Sequence, residues 1–281
     1  MKIKLASSYG FCYGVKRAIK IAEEHPQSST YGPLIHNKDE INRLKQNFDV
    51  SLANTLDEAK EAKAVVIRTH GIPKNELKEL KREGKKIINA TCPFVTTPQQ
   101  IVQKMSQEDY SIVIFGDKNH PEIKGVVSYA KDPKDAFVIL SPEDIENLPL
   151  KSKVAVVAQT TRKPSEFTKI VSELILKAKE VRVFNTICNA TFENQDAAAD
   201  LAKEADVMII IGGKNSSNTK QLYLISKNYC QDSYHIENET ELQSEWFKGK
   251  RLCGISAGAS TPDWVVQNVV DKINSFSKLN S

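Results

Sequence analysis

The stretch INATCPFVTTPQQIV (88–102) decides the fold, because it joins a short β-branched strand to a helical pattern at Cys92. Two further stretches have the same form, LASSYGFCYGVKRAI (5–19) and FNTICNATFENQDAA (184–198). Strands that alternate with helices are typical of parallel α/β units. The sequence therefore predicts an α/β fold built from three related units, each with a cysteine at a turn from strand to helix.

The alternation of strands and helices extends along the whole chain. Eight stretches rich in β-branched residues predict strands, at 2–6, 64–68, 86–89, 111–115, 153–157, 181–184, 206–211 and 251–255. Six stretches between them have a helical pattern, at 14–24, 73–83, 97–107, 164–178, 190–204 and 262–274. The predicted units cover 13–92, 93–188 and 189–281, and the third is expected to be completed by the N-terminal strand within 1–12.

Each unit also has two further polar segments at equivalent positions. The first kind contains a glycine and occurs at 31–37, 115–122 and 211–218; the second ends a strand and occurs at 68–73, 158–164 and 255–262. Ligands of open parallel sheets bind beyond the carboxyl ends of the strands. We therefore expect the functional site to be formed by these segments together with the three cysteine turns. This expectation holds if the three units face a common centre.

Composition and charge exclude several classes of protein. The 281 residues carry a net charge of 39 − 35 = +4, without a block of like charges, which argues against a nucleic-acid partner. The longest apolar runs, VAVVA (154–158) and VMIII (207–211), are far shorter than the roughly 20 residues of a spanning helix, so no membrane association is expected. The start, MKIKLASSYG, lacks the apolar stretch of a secretory signal, and we expect a cytoplasmic location.

Three of the five cysteines, Cys12, Cys92 and Cys188, occupy the equivalent position of each unit. A helix N terminus favours the thiolate, which is the form that ligates metal. Three thiolates could hold zinc with an open position, or an iron–sulfur cluster in which one iron lacks a protein ligand. Cys230 and Cys253 lack this position and are expected to be buried as small apolar side chains.

Further polar side chains in these segments suit an anion. His36, His70 and His120 lie in predicted loops and could bind either a metal or phosphate oxygens. The segment KNSSN (214–218) stands where the second unit has His120, and its hydroxyl and amide groups favour phosphate. Glu122 is a candidate general acid. Thr160, Thr161, Ser256 and Ser260 are further hydroxyl donors, whereas His25 and His235 are expected on the surface.

Nine motifs, in order along the chain, resemble the 4-hydroxy-3-methylbut-2-enyl diphosphate reductase family, which catalyses the last step of the methylerythritol phosphate route to isoprenoids. They are GFCYGVKRAI (10–19), GPLIHN (32–37), THG (69–71), ATCP (90–93), HPEIKG (120–125), QTT (159–161), NTIC (185–188), KNSSNT (214–219) and AGASTPDW (257–264). Each motif alone is weakly specific, but nine in order are very specific. The resemblance covers nearly the whole chain.

The resemblance implies a pseudo-threefold cloverleaf of three α/β units around a central iron–sulfur cluster. Cys12, Cys92 and Cys188 would hold one 4Fe–4S cluster whose fourth iron has no protein ligand, so the resemblance favours a cluster over zinc. It also implies a substrate pocket lined by His36, His70, His120, Thr160, Ser216, Ser217, Asn218 and Ser260. Most of these residues would bind the diphosphate. Catalytic roles are implied for Glu122 as the proton source, for Thr160 at the substrate hydroxyl and for His120.

The implied reaction is the reductive dehydroxylation of an allylic diphosphate. The hydroxyl of 4-hydroxy-3-methylbut-2-enyl diphosphate would bind the open iron and leave as water. In total, two electrons and two protons would be consumed per substrate, one proton in forming water and the other in forming isopentenyl diphosphate or dimethylallyl diphosphate. A ferredoxin or a flavodoxin is the electron donor that the resemblance suggests.

Two alternatives come from other functional classes. A non-catalytic iron–sulfur electron carrier is disfavoured, because carriers generally use four protein ligands and the chain has no fourth cysteine in an equivalent position. A zinc-dependent, phosphatase-like hydrolase is the other alternative, and metal analysis would distinguish it.

Four positions depart from the common family pattern. Asp117 stands where the family commonly has histidine, Asn89 and Asn185 stand where it often has aspartate, and Asn189 stands where it often has tyrosine. None of the four is an expected ligand, so the departures concern the hydrogen bonds around the site.

Overall fold

The computed structural model describes residues 1–35 and 37–279. Within them, twelve strands form three four-stranded sheets in which every pairing is parallel. The strands are β1 (Lys2–Leu5), β2 (Ser29–Tyr31), β3 (Ser51–Ala53), β4 (Ala64–Ile67), β5 (Lys86–Asn89), β6 (Ser111–Phe115), β7 (Ala136–Ile139), β8 (Lys153–Ala158), β9 (Glu180–Val183), β10 (Val207–Ile211), β11 (Ser233–Ile236) and β12 (Leu252–Ala257). The predicted α/β class is confirmed.

Helices connect the parallel strands, as this topology requires. The α-helices of the described chain are α1 (Tyr13–Glu23), α2 (Lys38–Phe48), α3 (Leu56–Glu61), α4 (Lys74–Arg82), α5 (Pro93–Gln107), α6 (Pro121–Val127), α7 (Pro164–Lys177), α8 (Asn189–Glu204), α9 (Ser217–Tyr229) and α10 (Asp263–Leu279). None of the helices in residues 1–35 and 37–279 has the length and apolar character that crossing a membrane requires.

The three sheets share one strand order. They read β3-β2-β4-β5, β7-β6-β8-β9 and, in reverse, β11-β10-β12-β1. In each sheet a cysteine turn follows the strand at one edge, β5, β9 or β1, and the glycine-containing loop follows β2, β6 or β10. The three related α/β units predicted from the sequence are therefore present. The exact boundaries of those units stay a prediction.

The chain forms two compact bodies. The Cys12 body contains Met1–Lys16, Ile35–Gln46 and Asn189–Ser281, and the Cys92 body contains Arg17–Leu34 and Asn47–Cys188. The Cys12 body holds the sheet of β1, β10, β11 and β12, and the Cys92 body holds the other two sheets.

Central strands are buried on both faces, which explains their uninterrupted apolar runs. All five residues of β6 and of β10 are buried. In the Cys92 body, Ile112 and Ile114 pack with Val102 of α5, while the ring of Phe115 stacks on that of Phe167 of α7. Each such side chain contributes about 1.5–3 kcal/mol by leaving water.

All eight predicted strands are present within two residues of the predicted bounds, but four further strands were missed. Three of these, β3, β7 and β11, lie at sheet edges and are at most four residues long. The fourth, β2, is only Ser-Thr-Tyr and carries no apolar run. Helices α2, α3, α6 and α9 were also missed. Helix α5 begins at Pro93 rather than at residue 97, since proline is favourable in the first turn of a helix.

Candidate functional site

The same backbone hydrogen bond precedes each of the three equivalent helices. The N–H of each cysteine donates to a carbonyl at the polar end of the neighbouring strand, in the pairs Cys92–Thr69 (2.9 Å), Cys188–Thr160 (2.8 Å) and Cys12–Ala259 (3.3 Å). All three thiols are half-buried. The sequence therefore folds each cysteine into one turn geometry, with its side chain at the positive end of a helix that stabilises an anionic ligand.

Asn89 and Asn185 build the turn before their cysteines in the same way. The side-chain oxygen of Asn89 accepts the N–H of Thr91 at 3.0 Å, and that of Asn185 accepts the N–H of Ile187 at 3.3 Å. Each asparagine thus bonds the backbone two residues ahead, which is a recognised turn motif of this residue. An aspartate carboxylate at either position could accept the same backbone N–H. These two departures from the family pattern therefore leave this hydrogen bond in place.

Glu122 and Thr160 are the most tightly coupled predicted site residues. The carboxyl of Glu122 is 1 % exposed; its Oε1 accepts the N–H of Thr160 at 2.8 Å and its Oε2 accepts the hydroxyl of Thr160 at 2.7 Å. Burial raises the pKa of Glu122, and the two hydrogen bonds from Thr160 only partly oppose that rise. The pair can therefore retain a proton next to a hydroxyl.

His120 has a fixed tautomer because it caps helix α6. Its Nδ1 accepts the backbone N–H of Glu122 at 3.2 Å, so the proton of the neutral ring is on Nε2. The ring of His70 lies edge-on to that of His120, with 5.4 Å between the centroids and 81° between the planes. The turn after His70 requires Gly71, whose φ is 71° and whose added Cβ would lie 2.9 Å from Nε2 of Gln99.

Gln159 positions the loop that leads to His120, a role that sequence reasoning missed. It is buried, and its Oε1 accepts the N–H of Asp117 at 3.0 Å. A Cβ added to Gly116 would lie 3.0 Å from the same oxygen, so the loop passes too close for a larger residue. The motif QTT (159–161) contains this glutamine, but its two threonines alone stand out as hydroxyl donors.

In the Cys12 body, the segment KNSSN begins helix α9. Ser216 is the N-cap, with its Oγ accepting the N–H of Thr219 at 3.2 Å, and Ser217 is exposed. The amide N and O of Asn218 are buried and have no hydrogen-bond partner within residues 1–35 and 37–279. A helix N terminus with a hydroxyl and an unpaired amide is a suitable site for an anion.

Ser260 lies in the loop after β12 and is half-buried. Its neighbour Thr261 anchors that loop, because the Thr261 hydroxyl donates to the carbonyl of Ile211 at 3.0 Å. Ser256 is buried within β12, and its Oγ has no partner in the described chain. His36 lies outside the described residues.

The predicted site residues divide between the two bodies. Cys12, Ser216, Ser217, Asn218 and Ser260 belong to the Cys12 body, and Cys92, Cys188, His70, His120, Glu122 and Thr160 belong to the Cys92 body. Direct contacts join His70 to His120, His120 to Glu122, and Glu122 to Thr160. Among residues 1–35 and 37–279, no three His, Cys, Asp or Glu side chains are grouped as ligands of a single metal ion.

The residues outside the predicted site behave largely as expected. Cys230 and Cys253 are buried, and burial raises the pKa of Cys253 to about 12. His25 is held at its helix end, with Nδ1 2.8 Å from the carbonyl of Ile21. His235, expected on the surface, is half-buried, and its Nε2 lies 2.9 Å from the carbonyl of Gly212.

Comparisons with known proteins identify the family of the chain. The family model described as LytB protein matches residues 3–274. A protein of a Sulfurovum species named 4-hydroxy-3-methylbut-2-enyl diphosphate reductase is 72% identical over 276 residues, which are 98% of this chain and all of that protein. A Nitratiruptor protein of the same name is 66% identical over 97% of this chain and 98% of its own length.

Two solved structures are similar over nearly the whole chain. One is described as (E)-4-hydroxy-3-methyl-but-2-enyl diphosphate reductase, the terminal enzyme of the non-mevalonate pathway; it is 46% identical, with a TM-score of 0.77 over 97% of this chain and 99% of its own. The corresponding reductase of Plasmodium falciparum is 26% identical, with a TM-score of 0.83 over 96% of this chain and 86% of its own. The resemblance predicted from the nine motifs is confirmed. The chain belongs to the LytB protein family and is an enzyme, an oxidoreductase.

Proposed function

We propose that the chain reduces 4-hydroxy-3-methylbut-2-enyl diphosphate. One substrate molecule, two electrons and two protons would give water and either isopentenyl diphosphate or dimethylallyl diphosphate. The relatives that bear the name of this reductase align with nearly the whole chain, which supports the substrate class. The observation that carries the proposal is the buried Glu122 carboxyl, bonded through both oxygens to Thr160.

The three equivalent cysteines suit an iron–sulfur cluster. Cys12, Cys92 and Cys188 offer only sulfur ligands, and each is half-buried and at a helix N terminus. Thiolate sets of this kind select zinc or iron–sulfur clusters. We propose that the three together hold one 4Fe–4S cluster. When bound, such a cluster supplies the electrons and, at the iron without a protein ligand, a Lewis acid.

The diphosphate would bind to donors that carry no competing negative charge. Ser216, Ser217 and Asn218 present hydroxyl and amide groups at the start of α9, and the helix dipole favours an anion there. The Nε2–H of His120 is a further donor, since Nδ1 is already occupied. His36, His70 and Ser260 complete the proposed set. Binding of the diphosphate at fixed donors would orient the allylic alcohol for reaction.

Glu122 would act as the proton store and Thr160 as the group that passes the proton on. Burial raises the pKa of Glu122. In the protonated form, Oε2–H would donate to the Thr160 hydroxyl 2.7 Å away, which reverses the hydrogen bond that the carboxylate accepts. Thr160 would accept this proton as it donates its own to the leaving hydroxyl of the substrate. The N–H of Thr160 remains bonded to Oε1 throughout and stabilises the carboxylate that is left.

Electrons would come from a small redox protein, either a ferredoxin or a flavodoxin, and the enzyme would work in the cytoplasm. An artificial donor such as reduced methyl viologen can replace that protein in a first assay.

The test uses anaerobically purified protein. Iron and acid-labile sulfide are measured per chain, the visible spectrum is recorded before and after the substrate is added, and products are analysed with reduced methyl viologen. We expect one cluster per chain, a spectral change with substrate, and both isoprenoid diphosphates. Zinc in place of iron, or a reducible cluster that is not reoxidised by substrate, would overturn the proposal in favour of a hydrolase or an electron carrier respectively.

A further inference from the structure

We infer that Glu40 is a positioning residue that ties together two distant segments of the Cys12 body. One segment is the start of α2, which directly follows Asn37; the other is the start of α10, which follows Ser260. The inference rests on the proposed function, because both segments adjoin residues proposed to bind the substrate.

The Glu40 carboxylate is buried and fully bonded. It is 1 % exposed, and its Oε2 accepts the indole N–H of Trp264 at 2.9 Å. The guanidinium of Arg43 lies along the same carboxylate, with Nε 3.0 Å from both oxygens and a terminal nitrogen 2.6 Å from Oε1. Such a charge-assisted fork is among the stronger and more directional of protein hydrogen bonds.

The start of α2 is fixed around the same residue. Asn37 is buried, and its Oδ1 accepts the backbone N–H of Glu40 at 2.9 Å, as an N-cap residue does. Its carbonyl accepts the N–H of Ile41 at 3.2 Å. Glu40 therefore lies in the first turn of α2, where a carboxylate also interacts favourably with the helix dipole.

The start of α10 is fixed from two sides. Trp264 is the second residue of α10, and Thr261 ties the preceding loop to β10 by its hydrogen bond to Ile211. The N–H of Thr261 also donates to the carbonyl of Gly258 at 2.8 Å. The bond between Trp264 and Glu40 joins positions 224 residues apart, and it sets where the loop of Ser260 stands relative to α2.

A purely stabilising role would not require this arrangement. A buried ion pair is often replaceable by apolar side chains at no loss of stability, whereas removal of one partner leaves an uncompensated charge. Trp264 is 39% exposed, so its ring is not a core element, and the directional part of the contact is its N–H. The geometry thus points to positioning, which predicts an effect on substrate binding more than on catalysis.

The first test is Glu40→Gln in the cluster-loaded enzyme. The glutamine amide has almost the same volume as the carboxylate, but its NH₂ group is a donor. It would face the guanidinium of Arg43 and the indole N–H of Trp264, which are also donors, so the hydrogen-bond network would break. We expect the KM for the substrate to rise about tenfold with kcat within about twofold. Trp264→Phe should raise KM in the same direction, and should add nothing in the Glu40→Gln background. Glu204→Gln, which removes an exposed ion pair with Lys4 in the same body, is the matched control and should leave KM unchanged.

Hydrogen exchange without substrate separates this inference from the proposed function. Glu40→Gln should speed amide exchange both in residues 38–46 and in residues 257–266, whereas Glu204→Gln should change neither. Faster exchange in 38–46 alone would overturn the inference, because Glu40 would then stabilise only its own helix. Additive effects of the two substitutions on KM, or an unchanged KM, would overturn it as well. Should the wild-type enzyme fail to reduce the substrate, the proposed function fails, and the exchange data still decide whether the two segments are coupled.

Discussion

Glu122 receives two hydrogen bonds from Thr160, one from its N–H at 2.8 Å and one from its hydroxyl at 2.7 Å, with the carboxyl 1 % exposed. The hydrogen bond from the hydroxyl defines the direction in which a proton can move between the two side chains. The hydrogen bond from the N–H holds the carboxyl beside the loop that follows β8. A carboxyl in this environment keeps its proton to a higher pH than an exposed one does, which suits a general acid.

Replacement of Glu122 by glutamine should abolish proton delivery but leave the cluster in place. The amide keeps the size and one acceptor, and it cannot release a proton, so kcat should fall by about 10²-fold or more. Iron content and visible absorbance should match the wild type. Glu166→Gln, at an exposed position of α7, is the control. Near-native turnover of Glu122→Gln would remove this residue from the mechanism.

The pH dependence of kcat should follow the protonated form of Glu122. Burial raises the pKa of this carboxyl above its ordinary value. The proton-donating form therefore predominates below the raised pKa and is lost as the pH rises through it. We expect kcat to fall on the alkaline side of the profile, measured with the cluster intact at each pH. A flat profile across that range would contradict the assignment.

Substitution of any one of the three equivalent cysteines by serine should prevent stable assembly of the cluster. Cys12→Ser, Cys92→Ser and Cys188→Ser should each lose iron and the visible absorbance, since serine is a harder and poorer ligand for iron–sulfur clusters. The matched control is Cys230→Ala, a buried cysteine outside the turns, which should keep the full iron content. Retention of a complete cluster by one of the serine variants would exclude that cysteine as a ligand.

His120→Asn should weaken substrate binding without destabilising the protein. Asparagine can cap helix α6 as the Nδ1 of His120 does, because it is among the preferred N-cap residues. It lacks the Nε2–H that is proposed to reach the diphosphate. The substrate KM should therefore rise, at an unchanged midpoint of thermal unfolding. His120→Ala loses both functions and should also cost about 1 kcal/mol of stability.

The two serines at the start of α9 should separate capping from binding. Ser216→Ala removes the N-cap bond to Thr219 and should cost about 1 kcal/mol in the free energy of unfolding, in addition to raising KM. Ser217 is exposed and makes no cap, so Ser217→Ala should raise KM alone. Urea unfolding and steady-state kinetics on both variants test this; equal losses of stability would show that the exposed serine also supports the helix.

The features that could be predicted from the sequence are the repeated turns and the short local motifs. The cysteine turns were predictable because each combines a strand, a cysteine and a helical pattern, and Glu122 stood out in the segment HPE after His120. The strand β2 was missed because Ser-Thr-Tyr shows no apolar alternation, although it lies between β3 and β4 and its first two residues are buried.

The supporting contacts of the site were not predictable in the same way. Gln159 and Asp117, or Glu40 and Trp264, meet only once the sheets are formed, and their spacing in sequence follows no helix or strand period. Buried polar side chains of this kind are identified by their partners, which a single sequence does not show.

The placement of β1 beside β12 has a consequence for synthesis of the chain. β1 is made first, but its partner, from Leu252 to Ala257, is made almost last. On the ribosome, residues 17–34 and 47–188 are complete long before the sheet of the Cys12 body can close. A ribosome that stops between residues 188 and 252 therefore releases a chain whose Cys92 body has all its strands, while β1 still exposes an unpaired edge to other nascent chains.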